Sequence, residues 1–230
     1  MSKELEFVLG HDEAGEKVIC DLEKMPHLLI AGVAGTGKTT LLLKMMRAFS
    51  QHGIDMIAAD ATLGADMAEL DLPKLMIPLA LGKKGTVALI KFAKRELDRR
   101  CGLLSSSGAR DIKRYNETAE EKLSRLVIFI DDIKEIMLCP DEVEADLVNI
   151  AMMGRNAGMH LVITSQSAYP DVITGLIRAN IPSRIAFLLP YKEDSLRVLD
   201  HEGAQELKNP GEMLYMPLNA ESPIFVIGEK

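Results

Sequence analysis

The stretch HLLIAGVAGTGKTT, residues 27–40, runs from a short aliphatic segment straight into glycines, a lysine and two threonines. Residues Gly32-Val33-Ala34-Gly35-Thr36-Gly37-Lys38-Thr39 carry the spacing G-x-x-x-x-G-K-T. Glycines let the backbone curl so that successive N–H groups converge on phosphate oxygens. A helix that follows directly adds its positive N-terminal end. This assigns phosphate binding to Gly32, Gly35, Thr36, Gly37, Lys38, Thr39 and Thr40, with Lys38 reaching the β- and γ-phosphates of ATP and the Thr39 hydroxyl on Mg²⁺. Chance produces the pattern in roughly 1% of chains of this length. A dinucleotide fingerprint is excluded, because Thr40 stands where that motif needs Gly or Ala.

Outward from the loop, short aliphatic runs recur: HLLIAG (27–32), IDMIAAD (54–60), LVIFID (126–131), HLVITS (160–165) and RIAFLLP (184–190). Continuous apolar runs of this length are the habit of strands buried on both faces of a parallel sheet. Helical patterns lie between them, at Lys38–Ser50, from Thr86 through Ile90, Ala93, Leu97, Cys101 and Leu104, and after Pro140-Asp141 through Val143, Leu147, Ile150 and Ala151. The end, GEMLYMPLNAESPIFVIGEK, reads as two short strands around a Pro/Asn turn. Residues 61–85 read as loop and short helix. The fold expected is α/β, a mostly parallel central sheet flanked by helices with a short C-terminal β-hairpin, in one domain over residues 1–230.

LVIFIDDIKE (126–135) ends five apolar residues on two adjacent acids, Asp131 and Asp132. A buried charge is costly unless something pairs with it. Phosphate-loop ATPases need a carboxylate at the tip of a neighbouring buried strand to orient the Mg²⁺ shell, and Asp131 stands there. A second carboxylate can polarise the water that attacks the γ-phosphate, which is the role for Asp132. The plainer alternative for either is a polar residue that ends a strand.

Composition narrows the partners. The 230 residues include 27 Lys+Arg and 34 Asp+Glu, a net charge of −7, which argues against a general basic coat for nucleic acid and leaves room for local cations. Three separated cysteines, Cys20, Cys101 and Cys139, fit neither a metal cluster nor a disulfide framework and point to a reducing compartment. No apolar run approaches the roughly 18–20 residues that span a bilayer, and MSKELEF lacks a signal-peptide core. The chain is expected to be cytoplasmic without inserting into the membrane itself, with any membrane association through a further segment or a partner.

Longer stretches resemble the motor domain of the FtsK/SpoIIIE DNA translocases: DLEKMPHLLIAG (21–32), LDRRCGLLSSSGARDIKRYNE (97–117), GRNAGMHLVITSQ (154–166), DVITGLIRANIPSRIAF (171–187) and GEMLYMP (211–217). The resemblance implies a RecA-like core, a hexameric ring, double-stranded DNA threaded through its pore, and ATP held between subunits. It implies an arginine finger in trans at Arg155 and a γ-phosphate-sensing glutamine at Gln166. It also implies that the family's membrane-spanning N-terminus and C-terminal winged-helix domain lie outside this sequence.

The sequence departs from the family at four points. The second strand-tip acid is usually Glu and here is Asp132, one methylene shorter. TQRP becomes Ser165-Gln166-Ser167-Ala168, SSKIDSR becomes PYKEDSL, and DPK becomes Asp60-Ala61-Thr62. Two of these changes remove cations, which would weaken a grip on phosphates. Arg178, Lys192 and Arg197 remain as DNA contacts, with Arg110, Lys113 and Arg114 behind them. Two alternatives to a DNA motor follow. One is a related ATPase driving protein secretion or conjugative transfer; the other is a nucleotide-binding module whose hydrolysis is weakened at Asp132.

Overall fold

The computed structural model describes residues 4–62, 67, 71–137 and 143–228. Pro140 and Asp141, the expected helix start, and Cys139 lie outside these residues. Among them, one ten-stranded sheet carries the molecule, in the order β2-β1-β10-β9-β8-β3-β7-β6-β4-β5. Its strands are β1 (Glu6–His11), β2 (Lys17–Asp21), β3 (His27–Ala31), β4 (Asp55–Asp60), β5 (Ala80–Leu81), β6 (Leu126–Asp131), β7 (Met159–Ser165), β8 (Ser183–Ala186), β9 (Glu212–Met216) and β10 (Ile224–Gly228). The half from β8 to β5 is parallel. The other half is antiparallel and includes the β9–β10 hairpin expected from the C-terminal sequence.

All five residues of β3 and all six of β6 are buried, as their aliphatic runs require. Alternate side chains serve opposite faces. Leu28 and Ile30 join one apolar cluster with Val127, Phe129 and the Leu41, Leu42, Met45, Met46 and Phe49 stripe of α1 (Lys38–Gln51). Leu29 and Ala31 join the other with Ile128, Ile130 and the inner faces of α2 (Gly82–Ser107) and α5 (Glu144–Ala157). Arg100, buried on α2, ties these helices together: its guanidinium pairs with Glu96 at 2.7 Å and donates to the Ala157 carbonyl at 3.1 Å. The remaining α-helices among the described residues are α3 (Ile112–Thr118), α4 (Lys134–Met137), α6 (Gly175–Asn180) and α7 (Lys192–Leu199), and a 3₁₀ turn spans Ala204–Glu206. No helix among the described residues is long and apolar enough to cross a membrane.

Two differences from the sequence reading matter for the site. The acidic strand β6 is not next to β3, because β7 runs between them. Strand β8 also ends at Ala186, short of the run to Pro190. Beyond it, Phe187 still donates to the Ala31 carbonyl at 2.8 Å, and Val33 donates to Leu188 at 3.0 Å. The chain there follows the phosphate loop as the loop turns out of the ladder.

Candidate nucleotide site

Parallel strands bring their C-terminal tips to one edge, where open α/β sheets place ligands. Here that edge carries the loop after β3, Asp60 at the end of β4, Asp131 at the end of β6 and Gln166 just past β7. The loop, Asp131 and Gln166 border a cleft of about 570 Å³ lined by Gly35, Gly37, Lys38, Thr39, Thr40, Asp131, Asp132 and Gln166, and Asp60 lies buried behind it. Residues 90 or more positions apart thus share one site because the sheet register aligns their strand ends.

The loop is held by its own groups. Gly35 lies at φ 77, a left-handed conformation that costs glycine least. A Cβ on Gly32 would stand 2.7 Å from the Phe187 Cβ, so this position needs glycine for close approach. Gly32 and Thr36 shape the loop from beneath, and neither lines the cleft. The Thr36 hydroxyl donates to the Val33 carbonyl at 2.8 Å. Lys38 is only 5% exposed, and its ammonium also donates to Val33, at 2.9 Å.

The acids are distinct in their surroundings. Asp131 accepts from the Thr39 hydroxyl at 3.2 Å and from the Thr164 hydroxyl at 2.5 Å. Burial pushes its carboxyl above the ordinary range and the nearby Asp60 carboxylate adds to this, while bonds from Thr164 and Thr39 and the charge of Lys38 oppose it. Asp60, itself fully buried, accepts from the Thr62 amide at 2.9 Å, the Thr62 hydroxyl at 2.7 Å and the Met67 amide at 3.2 Å. Asp132 sits at φ 52, and its carboxylate accepts from the amides of Lys134 at 3.3 Å and Gln166 at 3.4 Å. A carboxylate and a hydroxyl are hard oxygen donors of the kind Mg²⁺ takes, so Asp131 and Thr39 fit that ion.

The cleft's other wall was not legible as a motif. Leu9 of β1, Phe187, Pro210, Gly211, Met213 and Gly228 line it. The Gly211 amide donates to the Thr36 carbonyl at 3.0 Å and the Gly228 amide to Gly211 at 2.9 Å, locking the C-terminal hairpin to the phosphate loop. Thr62 and Lys44 also line the cleft. A signal for Asp60 was available, since IDMIAAD and LVIFID both end in Asp and pair in register, Asp60 opposite Asp131.

Arg155 lies elsewhere. It is exposed in the last turn of α5, which leads into the start of β7. The seven residues of β7 put it roughly 20 Å from the loop of its own chain. The three cations nominated for DNA are each paired within the chain: Arg178 with Asp200, Lys192 with Glu202 at 2.7 Å, and Arg197 with Asp194 at 3.3 Å. Arg197 also donates to the Ala168 carbonyl at 3.1 Å.

A G-x-x-x-x-G-K-T loop on a parallel sheet, with an acid strand one strand removed and a polar residue on the strand between, defines the class: a RecA-like P-loop nucleotide-binding domain. Within that class, residues 1–170 match the FtsK/SpoIIIE family, and the chain belongs to it. It is 42% identical over 98% of its length to "DNA translocase FtsK" of Caldanaerobacter subterraneus subsp. tengcongensis, and covers 33% of that protein. It is 37% identical over 97% of its length to "DNA translocase SftA" of Bacillus subtilis, covering 25% of that relative. The chain therefore spans a third or less of these two relatives. Among solved structures, the pCW3 conjugation coupling protein TcpA, a monomer with ATPγS, superposes with a TM-score of 0.88 at 24% identity, over 99% of this chain and 66% of that one. At that identity the likeness speaks for the fold alone.

Proposed function

We propose that this chain is a single motor domain that hydrolyses ATP to move along double-stranded DNA, as one subunit of a ring, with the six members that the family resemblance implies. The observation that carries the reading is the meeting of Lys38, Thr39, Asp131, Asp132 and Gln166 at one cleft, in a chain related along nearly its whole length to DNA translocases. Lys38 would leave the Val33 carbonyl for the phosphates. Thr39 and Asp131 would hold Mg²⁺, which when bound supplies charge neutralisation on the phosphates. Asp132 would orient the attacking water and accept its proton, and the Gln166 amide side chain would read the γ-phosphate. Arg155, too distant from its own loop, would serve the cleft of a neighbouring subunit, where a guanidinium is worth roughly 10³–10⁵ in rate in related enzymes. The setting proposed is cytoplasmic.

ATPase rate against duplex length and salt tests this, with Lys38→Ala as control. A rate that rises with length supports movement along DNA; no hydrolysis with or without long duplex at low salt sinks the reading. One observation favours a second reading. Lys192 and Arg197 are each paired with an acid of the same chain and Arg178 shares Asp200 with Arg184, which suits a polypeptide cargo better than phosphates. Stimulation by a secreted protein and not by duplex DNA would select it.

A further inference from the structure

The hydrogen-bonded register of β6 and β7 runs from Leu126↔Met159 to Ile130↔Ile163 and stops there. The three residues that matter next, Asp131, Asp132 and Ile133, fall beyond it, and Asp132 turns the chain left-handed at φ 52. One residue of β7 replaces the missing ladder. The Thr164 hydroxyl donates to Asp131 Oδ1 at 2.5 Å and accepts from the Asp132 amide at 2.9 Å, while the Thr164 carbonyl accepts from the Ile133 amide at 3.0 Å. A hydroxyl has one proton to give and lone pairs to receive, so both capacities are engaged. Thr164 is fully buried, and its branched side chain is stiff at χ1 in a strand.

We infer that Thr164 is a positioning residue for ATP hydrolysis, its hydroxyl fixing both strand-tip acids to the strand that leads into Gln166. The inference rests on the proposed ATPase reading and deepens it. Asp131 has two oxygens, one taken by Thr39 from the phosphate loop and the other by Thr164. The carboxylate is thereby aimed from both sides. Asp132 receives its backbone direction from Thr164, and its carboxylate accepts from the Gln166 amide, just past the end of that strand. A shift of β7 at its tip would move the sensor glutamine and both acids as one unit. Without the hydroxyl, the buried Asp132 amide has no partner and the turn is free to re-aim.

Thr164→Val keeps the shape and removes the hydroxyl; Thr164→Ser keeps the hydroxyl and trims the methyl. Both are compared with the unmodified chain in steady-state ATPase assays and in Mg²⁺ titrations of fluorescent ATP-analogue binding. The expected result for Thr164→Val is a kcat lowered about tenfold to a hundredfold, with KM for ATP within about threefold. Half-maximal analogue binding should need about tenfold more Mg²⁺, because the acid nearest the ion has lost one of its two anchors. Thr164→Ser should return both readouts to within about twofold of the unmodified chain. A drop in kcat or a rise in Mg²⁺ requirement that Ser rescues supports the inference. It is overturned if Val changes neither, or if Ser fails as Val does, since packing and not the hydroxyl would then be at work. Should the unmodified chain hydrolyse nothing, the motor reading fails by itself and the Mg²⁺ titration alone decides on Thr164. If melting shows that the Val variant does not fold, Thr164→Ala removes the same hydroxyl in its place.

Discussion

Replacing Asp132 by Glu separates catalytic reach from local stability. The added methylene extends the side chain by about 1.5 Å. A misplacement near 1 Å can cost about 10²-fold in rate, so Asp132→Glu should raise kcat by about tenfold to a hundredfold if the aspartate falls short of the attacking water. The same substitution should weaken the fold. Asp132 occupies φ 52, which Asp and Asn adopt more readily than a longer side chain, a difference of roughly 1–2 kcal/mol. Its bonds from Lys134 and Gln166 are long, at 3.3 and 3.4 Å, so their loss adds little. For a chain of this size each kcal/mol moves the melting temperature by about 2–4 °C, giving a fall of roughly 2–8 °C. Steady-state turnover at saturating ATP, with and without long duplex, is read beside a thermal melt of the same preparation. A melting temperature that falls while kcat stays level or drops would refute the reasoning: the shorter acid would then be the one this turn is built to use.

Arg155→Ala should leave nucleotide affinity of an isolated chain within about twofold, since the residue is roughly 20 Å from its own loop, yet lower assembled turnover by about 10³-fold or more. Doping it into unmodified protein should depress activity more steeply than in proportion to its fraction; a proportional loss counts against action in trans. Lys192→Ala and Arg197→Ala should each change the slope of log affinity for DNA against log salt by less than about 0.5, because both cations are already paired. A change near one unit would mean that the pair opens onto a phosphate. Burial holds His27 down to about 4 and His160 down to about 3, so both stay neutral in the fold. The unfolded chain takes up protons below about pH 6.5, so stability is complete above that value and falls as pH drops towards 4. His27 alone accounts for roughly 3 kcal/mol. Urea unfolding between pH 7 and 4.5 reads this loss, and a flat profile contradicts it.

What the sequence announced was local. The phosphate loop, the buried strand ending in Asp131 and the helix on Lys38 are each written in fewer than 20 consecutive residues, and each stands where its pattern placed it. Gln166 took its place through family likeness, and the sheet explains it: β7 lies between β3 and β6, so its tip reaches the cleft. That insertion depends on strand order, which no run of apolar residues encodes. The β1–β2 hairpin has only a faint sequence signal, although Phe7 and Leu9 alternate inward and Asp12 closes the turn, accepting from the Ala14 and Glu16 amides at 2.9 and 2.8 Å. Its strands are short and interrupted by charge, so they carry little weight beside the long buried runs. The pairing of Arg178 and Lys192 was equally hidden, because Asp200 and Glu202 lie beyond the helices that bear them, whereas Arg197–Asp194 is an i, i+3 pair within α7.

The hydrogen bond from Gly211 to Thr36 reaches beyond geometry. Leu9 near one end of the chain and Gly228 near the other face the same cleft as Lys38, and Gly10 pairs with Gly228 across β1 and β10. A ligand seated there is a clasp: part of its binding energy goes into fastening the first and last strands to the centre of the sheet. The smallest transplantable unit of this site therefore runs to the last strand, and a chimera cut after residue 170, where the family match ends, would carry the loop and both acids but keep only Leu9 of the wall they face.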